Sequence, residues 1–147
     1  MPILSLPQPS HQEKARQLSL VQIILKALQK NAGNISFHDF MQMALYTPKL
    51  GYYTANKHKI GHKGDFITAP VLSPLFSQTF ARQFATILSK LGKRPVIIEF
   101  GAGTGQFALD CLQCLQNINQ LPTRYYIVEL SADFQSIQRD LLKKAMP

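Results

Sequence analysis

Residues Val96-Ile97-Ile98-Glu99-Phe100-Gly101-Ala102-Gly103-Thr104-Gly105 run from a buried-strand pattern into a glycine loop, and the stretch after them opens a helix. Few arrangements satisfy that order. The glycines permit a tight turn and a close approach of backbone to a ligand, and the following helix points its free N–H groups at the same spot. Two details select the ligand. Glu99 stands two residues before the first glycine, and the spacing is Gly-x-Gly-x-Gly followed by Gln106 instead of Gly-x-Gly-x-x-Gly. A carboxylate there repels a pyrophosphate, whereas the ammonium and sulfonium groups of S-adenosylmethionine (SAM) are cationic and accept it. SAM therefore ranks above a nicotinamide dinucleotide, with Glu99, Gly101, Ala102, Gly103 and Gly105 as the expected cofactor-binding residues.

The second half of such a site is expected one helix later. Tyr125-Tyr126-Ile127-Val128-Glu129 reads as a short strand ending in an acid. A carboxylate at the tip of the second strand can accept hydrogen bonds from both ribose hydroxyls, which makes Glu129 the sixth expected cofactor residue. The plainer alternative is a tight strand-to-helix turn, with Glu129 capping the helix before Ser131. The strand before the loop, the helix after it and the acid at the second strand end together favour the cofactor reading.

At 147 residues and 46% hydrophobic content, the chain has enough sequence to bury a core. Its formal charge of +8 comes from 16 Lys and Arg against 8 Asp and Glu. The basic residues are dispersed, with no aromatic-interleaved basic motif, so neither nucleic acid nor a membrane surface is expected as a partner. No apolar run has transmembrane length, and the first thirty residues lack a signal-like core, so the expectation is a soluble, cytoplasmic chain. Cys111 and Cys114 form a lone Cys-x-x-Cys without a second pair. They are expected to pack on a helix, and no metal site is expected.

Helical periodicity appears over about 12–30 on Leu18, Val21, Leu25 and Leu28, and again after the cap Ser36 on Phe37, Phe40, Met41, Ala44 and Leu45. Residues 50–71 lose periodicity and are rich in Gly, Lys, His and aromatics, a long loop of the kind that is usually functional or disordered. Ser73-Pro74 starts a helix on Phe76, Phe80, Phe84, Ile87, Leu88 and Leu91. The Val96 strand, a helix on Phe107, Cys111, Leu112 and Leu115, the Tyr125 strand and a helix capped by Ser131 on Phe134, Ile137 and Leu141 complete the chain. The expected organisation is a helical region over 1–92 and the start of a Rossmann-like domain over 93–147, ending after its second helix. Two parallel strands cannot protect their own edges. The chain is thus read as the N-terminal part of a larger fold whose remaining strands would be its nearest partner.

Several blocks resemble the MidA-like SAM-dependent methyltransferases, a family that includes the mitochondrial arginine methyltransferase of respiratory complex I assembly. They are Met43-Ala44-Leu45-Tyr46 with Pro48 and Gly51-Tyr52-Tyr53; Gly61-x-x-Gly64-Asp65-Phe66-Ile67-Thr68-Ala69-Pro70 with Ser73 and Phe76; Glu99 to Gly105; and Glu129-Leu130-Ser131. The resemblance implies a class I methyltransferase fold, SAM on Gly101, Gly103, Gly105 and Glu129, and a protein substrate. The family usually has Glu after Thr-Ala-Pro, where this chain has Val71, and its members run to more than twice this length.

Methyl transfer from SAM is an in-line displacement that needs held geometry and excluded water, and no covalent nucleophile. An arginine acceptor, which the resemblance suggests, needs a carboxylate to orient its guanidinium. Asp65, between two flexible points, is the candidate for that substrate-orienting catalytic role, against the plainer reading of a loop-shaping acid. His58 and His62 lie among Lys57, Lys59 and Lys63 with Gly61 between them, which argues against zinc and for a solvated loop tip. Tyr52 and Tyr53 are expected to pack their loop onto the domain. The competing functions are a binding module that lost catalysis, favoured by Val71, and an NAD-dependent oxidoreductase, disfavoured by Glu99 and the loop spacing.

Overall fold

The computed structural model describes residues 8–55, 60–61 and 64–146. Backbone packing separates two compact units, Met1–Asn56 and Lys57–Pro147. The sequence reading divides the chain at 92/93. The division falls earlier because the helix starting at Pro74 packs along the helix that follows the glycine loop, and so shares its core. The Lys57, His58, Lys59, His62 and Lys63 cluster lies outside the described residues.

In the first unit, α1 (His11–Lys30) packs with α2 (Phe37–Tyr46). Ser10 and Glu13 close a reciprocal capping box on α1. At α2, Ser36 Oγ accepts the Asp39 N–H at 3.0 Å and donates to the Asp39 carboxylate at 2.7 Å, so the Asp39 side chain engages the hydroxyl and not the Ser36 N–H. The apolar stripe expected on α1 is largely open: Leu18 is 66% exposed, and the half-buried positions are Leu20, Ile24, Ala27 and Leu28. Apolar residues occur on more than one side of α1, and a ten-residue α2 covers one stripe. After α2 the chain folds back on the helix end. Tyr52 N–H donates to Ala44 O at 3.0 Å and Tyr53 N–H to Leu45 O at 2.9 Å, which satisfies carbonyls that a helix terminus leaves open. Tyr53 stacks on Tyr46 with centroids 5.6 Å apart.

The second unit holds α3 (Ala69–Leu72), α4 (Pro74–Leu88), β1 (Val96–Phe100), α5 (Gln106–Asn117), β2 (Arg124–Val128) and α6 (Ala132–Ala145). β1 and β2 pair in parallel, with Glu99 opposite Ile127, so β1-α5-β2 is the β-α-β unit of a Rossmann-like fold. One sheet face, carrying Ile97 and Tyr125, packs on a core of Ala81, Leu88, Cys111, Cys114 and Leu115. The opposite face carries Ile98, Phe100, Tyr126 and Val128, all exposed.

Two core expectations change. On α4 the buried stripe is Ser77, Ala81 and Leu88, while Phe76, Phe80 and Ile87 are at least 40% exposed, as is Leu91 beyond the helix end. Ser77 and Ala81 pack into the interface with α5, and Phe76, Phe80 and Phe84 lie beside it, in ring contact with Phe107 at the start of α5. On α6 the buried residues are Phe134 and Gln138, with Ile137 open to solvent. Cys111 and Cys114 are free and buried, and Cys111 is pushed up to about 12 by its burial, with Cys114 and Glu99 adding to the effect. No helix among the described residues is long and apolar enough to cross a membrane.

Candidate functional site

The glycine loop joins β1 to α5 through three left-handed turns: φ is +67° at Gly101, +53° at Gly103 and +84° at Gly105. L residues with a Cβ adopt that region reluctantly, so the loop needs glycine for its path as well as for space. A Cβ on Gly103 would lie 2.7 Å from Ile60 Cδ1, and one on Gly105 would lie 3.2 Å from Gln138 Cγ. Gly101 N–H donates to Val128 O at 2.9 Å and Gly105 N–H to Ala102 O at 2.8 Å. The amides of Ala102, Gly103 and Thr104 have no backbone partner among the described residues, and they sit at the N-terminal end of α5, where anionic or polar ligand atoms are favoured.

Beside this loop opens a cavity of about 430 Å³. Glu99, Gly101, Ala102, Gly103, Thr104 and Gln106 form one side of it, and Phe76, Phe80, Phe84 and Phe107 another. The rings make one cluster, with Phe76 and Phe80 centroids 4.9 Å apart and Phe80 and Phe107 centroids 6.0 Å apart. A mostly apolar hollow with a few convergent polar groups has the character of a small-molecule site.

Glu99 reaches this hollow from the end of β1. Its Oε2 accepts the Tyr125 hydroxyl at 2.8 Å. Burial holds its carboxyl above the ordinary carboxylate range, and the hydrogen bond from Tyr125 draws it partway back. Burial likewise raises the Tyr125 phenol far above its usual value, with Glu99 beside it reinforcing the shift.

Glu129 follows the last residue of β2 and does not line the cavity. Its Oε1 accepts the Ser131 N–H at 2.8 Å, while its Oε2 lies 3.4 Å from Gln138 Nε2. The same Gln138 nitrogen donates to Gly103 O at 2.8 Å, so one side chain ties the glycine loop to the acid at the second strand end. Gly105 is buried as the N-cap of α5 and lines no part of the cavity. Of the six residues expected to hold a cofactor, four line the cavity, and Gly105 and Glu129 flank it.

Asp65 is exposed and is not among the cavity's lining residues. Its block is ordered by an isolated bridge between Ile60 and Phe66 and by a Gly61 N–H bond to Phe66 O at 2.9 Å. The lining residues that this block and its continuation contribute are Ile60, Thr68, Pro70 and Val71.

A family model of S-adenosyl-L-methionine-dependent methyltransferases matches residues 79–147. A Burkholderia thailandensis protein, solved bound to S-adenosyl-homocysteine, superposes with a TM-score of 0.86 at 37% identity, over 97% of this chain and 38% of its own. The chain belongs to the MidA-like SAM-dependent methyltransferase family. Among curated relatives of that family, the mitochondrial protein arginine methyltransferase NDUFAF7 of Mus musculus is 30% identical over 115 residues, covering 74% of this chain and 26% of its own length. The human protein of that name is 29% identical over 121 residues, covering 78% of this chain and 27% of its own. The chain thus spans about a quarter of the length of the curated relatives it matches. SAM is the cofactor of the MidA-like family, and the left-handed loop, its open amides and the cavity carboxylate fit that molecule.

Three features of this MidA-like site escape a motif reading. Tyr125 shares one face of β2 with Ile127, the register partner of Glu99, a parity signal that places its hydroxyl on the Glu99 side of the sheet. Gln138 is a polar residue one helical turn after buried Phe134, and a buried polar position needs a partner. The phenylalanines of α4, at i, i+4 and i+8, have the same period whether they pack a core or wall a cavity.

Proposed function

We propose that this chain is the SAM-binding N-terminal portion of a protein methyltransferase, with arginine side chains as the acceptor class. The observation that carries the cofactor reading is the loop of three left-handed glycines beside a cavity that contains the Glu99 carboxylate. The arginine class rests on the curated relatives, which are protein arginine methyltransferases.

In this reading Glu99 receives the cofactor's ammonium group, the amides at Ala102, Gly103 and Thr104 receive its polar atoms, and Glu129 receives its ribose hydroxyls. When bound, SAM supplies an electrophilic methyl group. The chain's own contribution is position and exclusion of water, which the four-phenylalanine wall favours by making one side of the hollow apolar. Asp65 keeps a proposed role in orienting a guanidinium, supported by its carboxylate chemistry and by its place in the Gly-Asp-Phe block. Crosslinking of methyl-labelled SAM to the chain tests the reading: competition by S-adenosyl-homocysteine and not by NADH supports it, and competition by NADH overturns it.

Val71 favours a second reading, a SAM-binding module that has lost catalysis. It lines the cavity at the position where the family resemblance leads one to expect Glu. Restoring the acid by Val71→Glu in a full-length protein raises methyl transfer if that carboxylate matters; unchanged transfer removes Val71 as an argument.

A further inference from the structure

The cavity side of the sheet contains a pair that neither the glycine motif nor the family likeness assigns. Tyr125 sits two residues before Ile127, the register partner of Glu99, so the two side chains are diagonal neighbours on one face of a parallel pair. The Tyr125 hydroxyl donates to Glu99 Oε2 at 2.8 Å, and Glu99 Oε1 has no hydrogen-bond partner among the described residues. The phenol itself is packed against the core that holds Cys111 and Leu115, so it is a rigid donor and not a swinging one.

From this geometry we propose that Tyr125 is a positioning residue for the amino-acid end of the cofactor. It fixes the Glu99 carboxylate by one oxygen and leaves the other for an ammonium group. The proposal rests on the cofactor reading above and deepens it. Three physical consequences support it. A carboxylate at the end of a strand beside an open hollow has several rotamers, and a hydrogen bond from a packed neighbour removes all but one, lowering the entropy lost on binding. The donated proton stabilises the anionic form in a half-buried place, where burial alone works against it. Finally, a phenol donor cannot neutralise Glu99 as a lysine or arginine would, so the carboxylate retains its charge for a cationic ligand.

The test uses two probes that differ at that end of the molecule. S-adenosyl-homocysteine carries the ammonium and carboxylate of an amino acid, and 5′-methylthioadenosine has the same nucleoside thioether without them. Tyr125→Phe should lower affinity for S-adenosyl-homocysteine by roughly tenfold, the scale of one charge-assisted contact, while changing affinity for 5′-methylthioadenosine by less than about twofold. Glu99→Gln should show the same selectivity, and the double variant should lose little more than Glu99→Gln alone, because Tyr125 acts through Glu99. Binding of 5′-methylthioadenosine also reports that each variant still folds around the site. Equal loss for both probes, or independent losses that add in the double variant, would overturn the proposal and leave Tyr125 a core residue. A wild-type chain that binds neither probe would overturn the cofactor reading itself, which is a different failure.

Discussion

A carboxylate half withdrawn from water, as Glu99 is, opposes folding while it prepares binding. Its folded-state carboxyl is raised above the unfolded value of about 4.5 by burial, with Tyr125 opposing the shift. The folded chain therefore holds its proton more tightly than the unfolded chain, and stability falls as pH rises from near that unfolded value through the raised folded one. Glu99→Gln retains an acceptor for Tyr125 and removes the ionisation. It should raise the melting midpoint near neutral pH by about 1–3 °C and flatten this part of the stability curve, while weakening S-adenosyl-homocysteine binding. Thermal melts between about pH 4 and 8 read the first effect; an unchanged pH profile would show that burial of Glu99 carries no energetic consequence.

At the scale of elements, the turn after α2 is a closely packed piece of backbone. A Cβ on Gly51 would lie 2.6 Å from the carbonyl carbon of Leu45 and 2.7 Å from Thr47 N, both main-chain atoms that cannot rotate away. Gly51→Ala should destabilise the first unit by about 2 kcal/mol or more, by forcing Tyr52 and Tyr53 off the end of α2. Hydrogen exchange should show lost protection at the Tyr52 and Tyr53 amides, and preserved protection there would contradict the packing account. The sequence announces this turn only as a Gly-Tyr-Tyr word. That the glycine is required by close approach, and not by a positive φ, becomes visible only when the helix carbonyls are placed above it. Element positions are easier to read, because caps such as Ser10, Ser36, Ser73 and Ser131 each accept an N–H at a helix start. The short helix Ala69–Leu72 has no comparable signal, since four residues are too few for a period.

At the scale of the molecule, the sheet has one covered face and one apolar open face, with Ile98 53%, Phe100 77% and Val128 47% exposed. Apolar sheet surface beside unpaired strand edges seeks another chain. The 147-residue chain should therefore self-associate in sedimentation experiments as concentration rises, and Ile98→Lys should reduce that association. A monodisperse monomer would contradict this. The glycine loop and its flanking elements were legible because they are local: a strand, a glycine turn, a helix start and the next strand. The aromatic wall, the Gln138 tie and the Tyr125 contact were hidden, because each joins residues that only the tertiary path brings together. Asp65 shows the converse, since a distinctive motif drew attention to an acid that lies outside the lining of the cavity.

The most direct measurement is calorimetric titration of the folded chain with S-adenosyl-homocysteine, with NADH as control. The structure predicts micromolar binding that is lost in Gly103→Arg, where a long side chain enters a left-handed turn against Ile60, and weakened in Glu129→Ala. A folded chain that binds NADH instead, or binds neither ligand, would contradict the assignment of this loop and cavity to SAM.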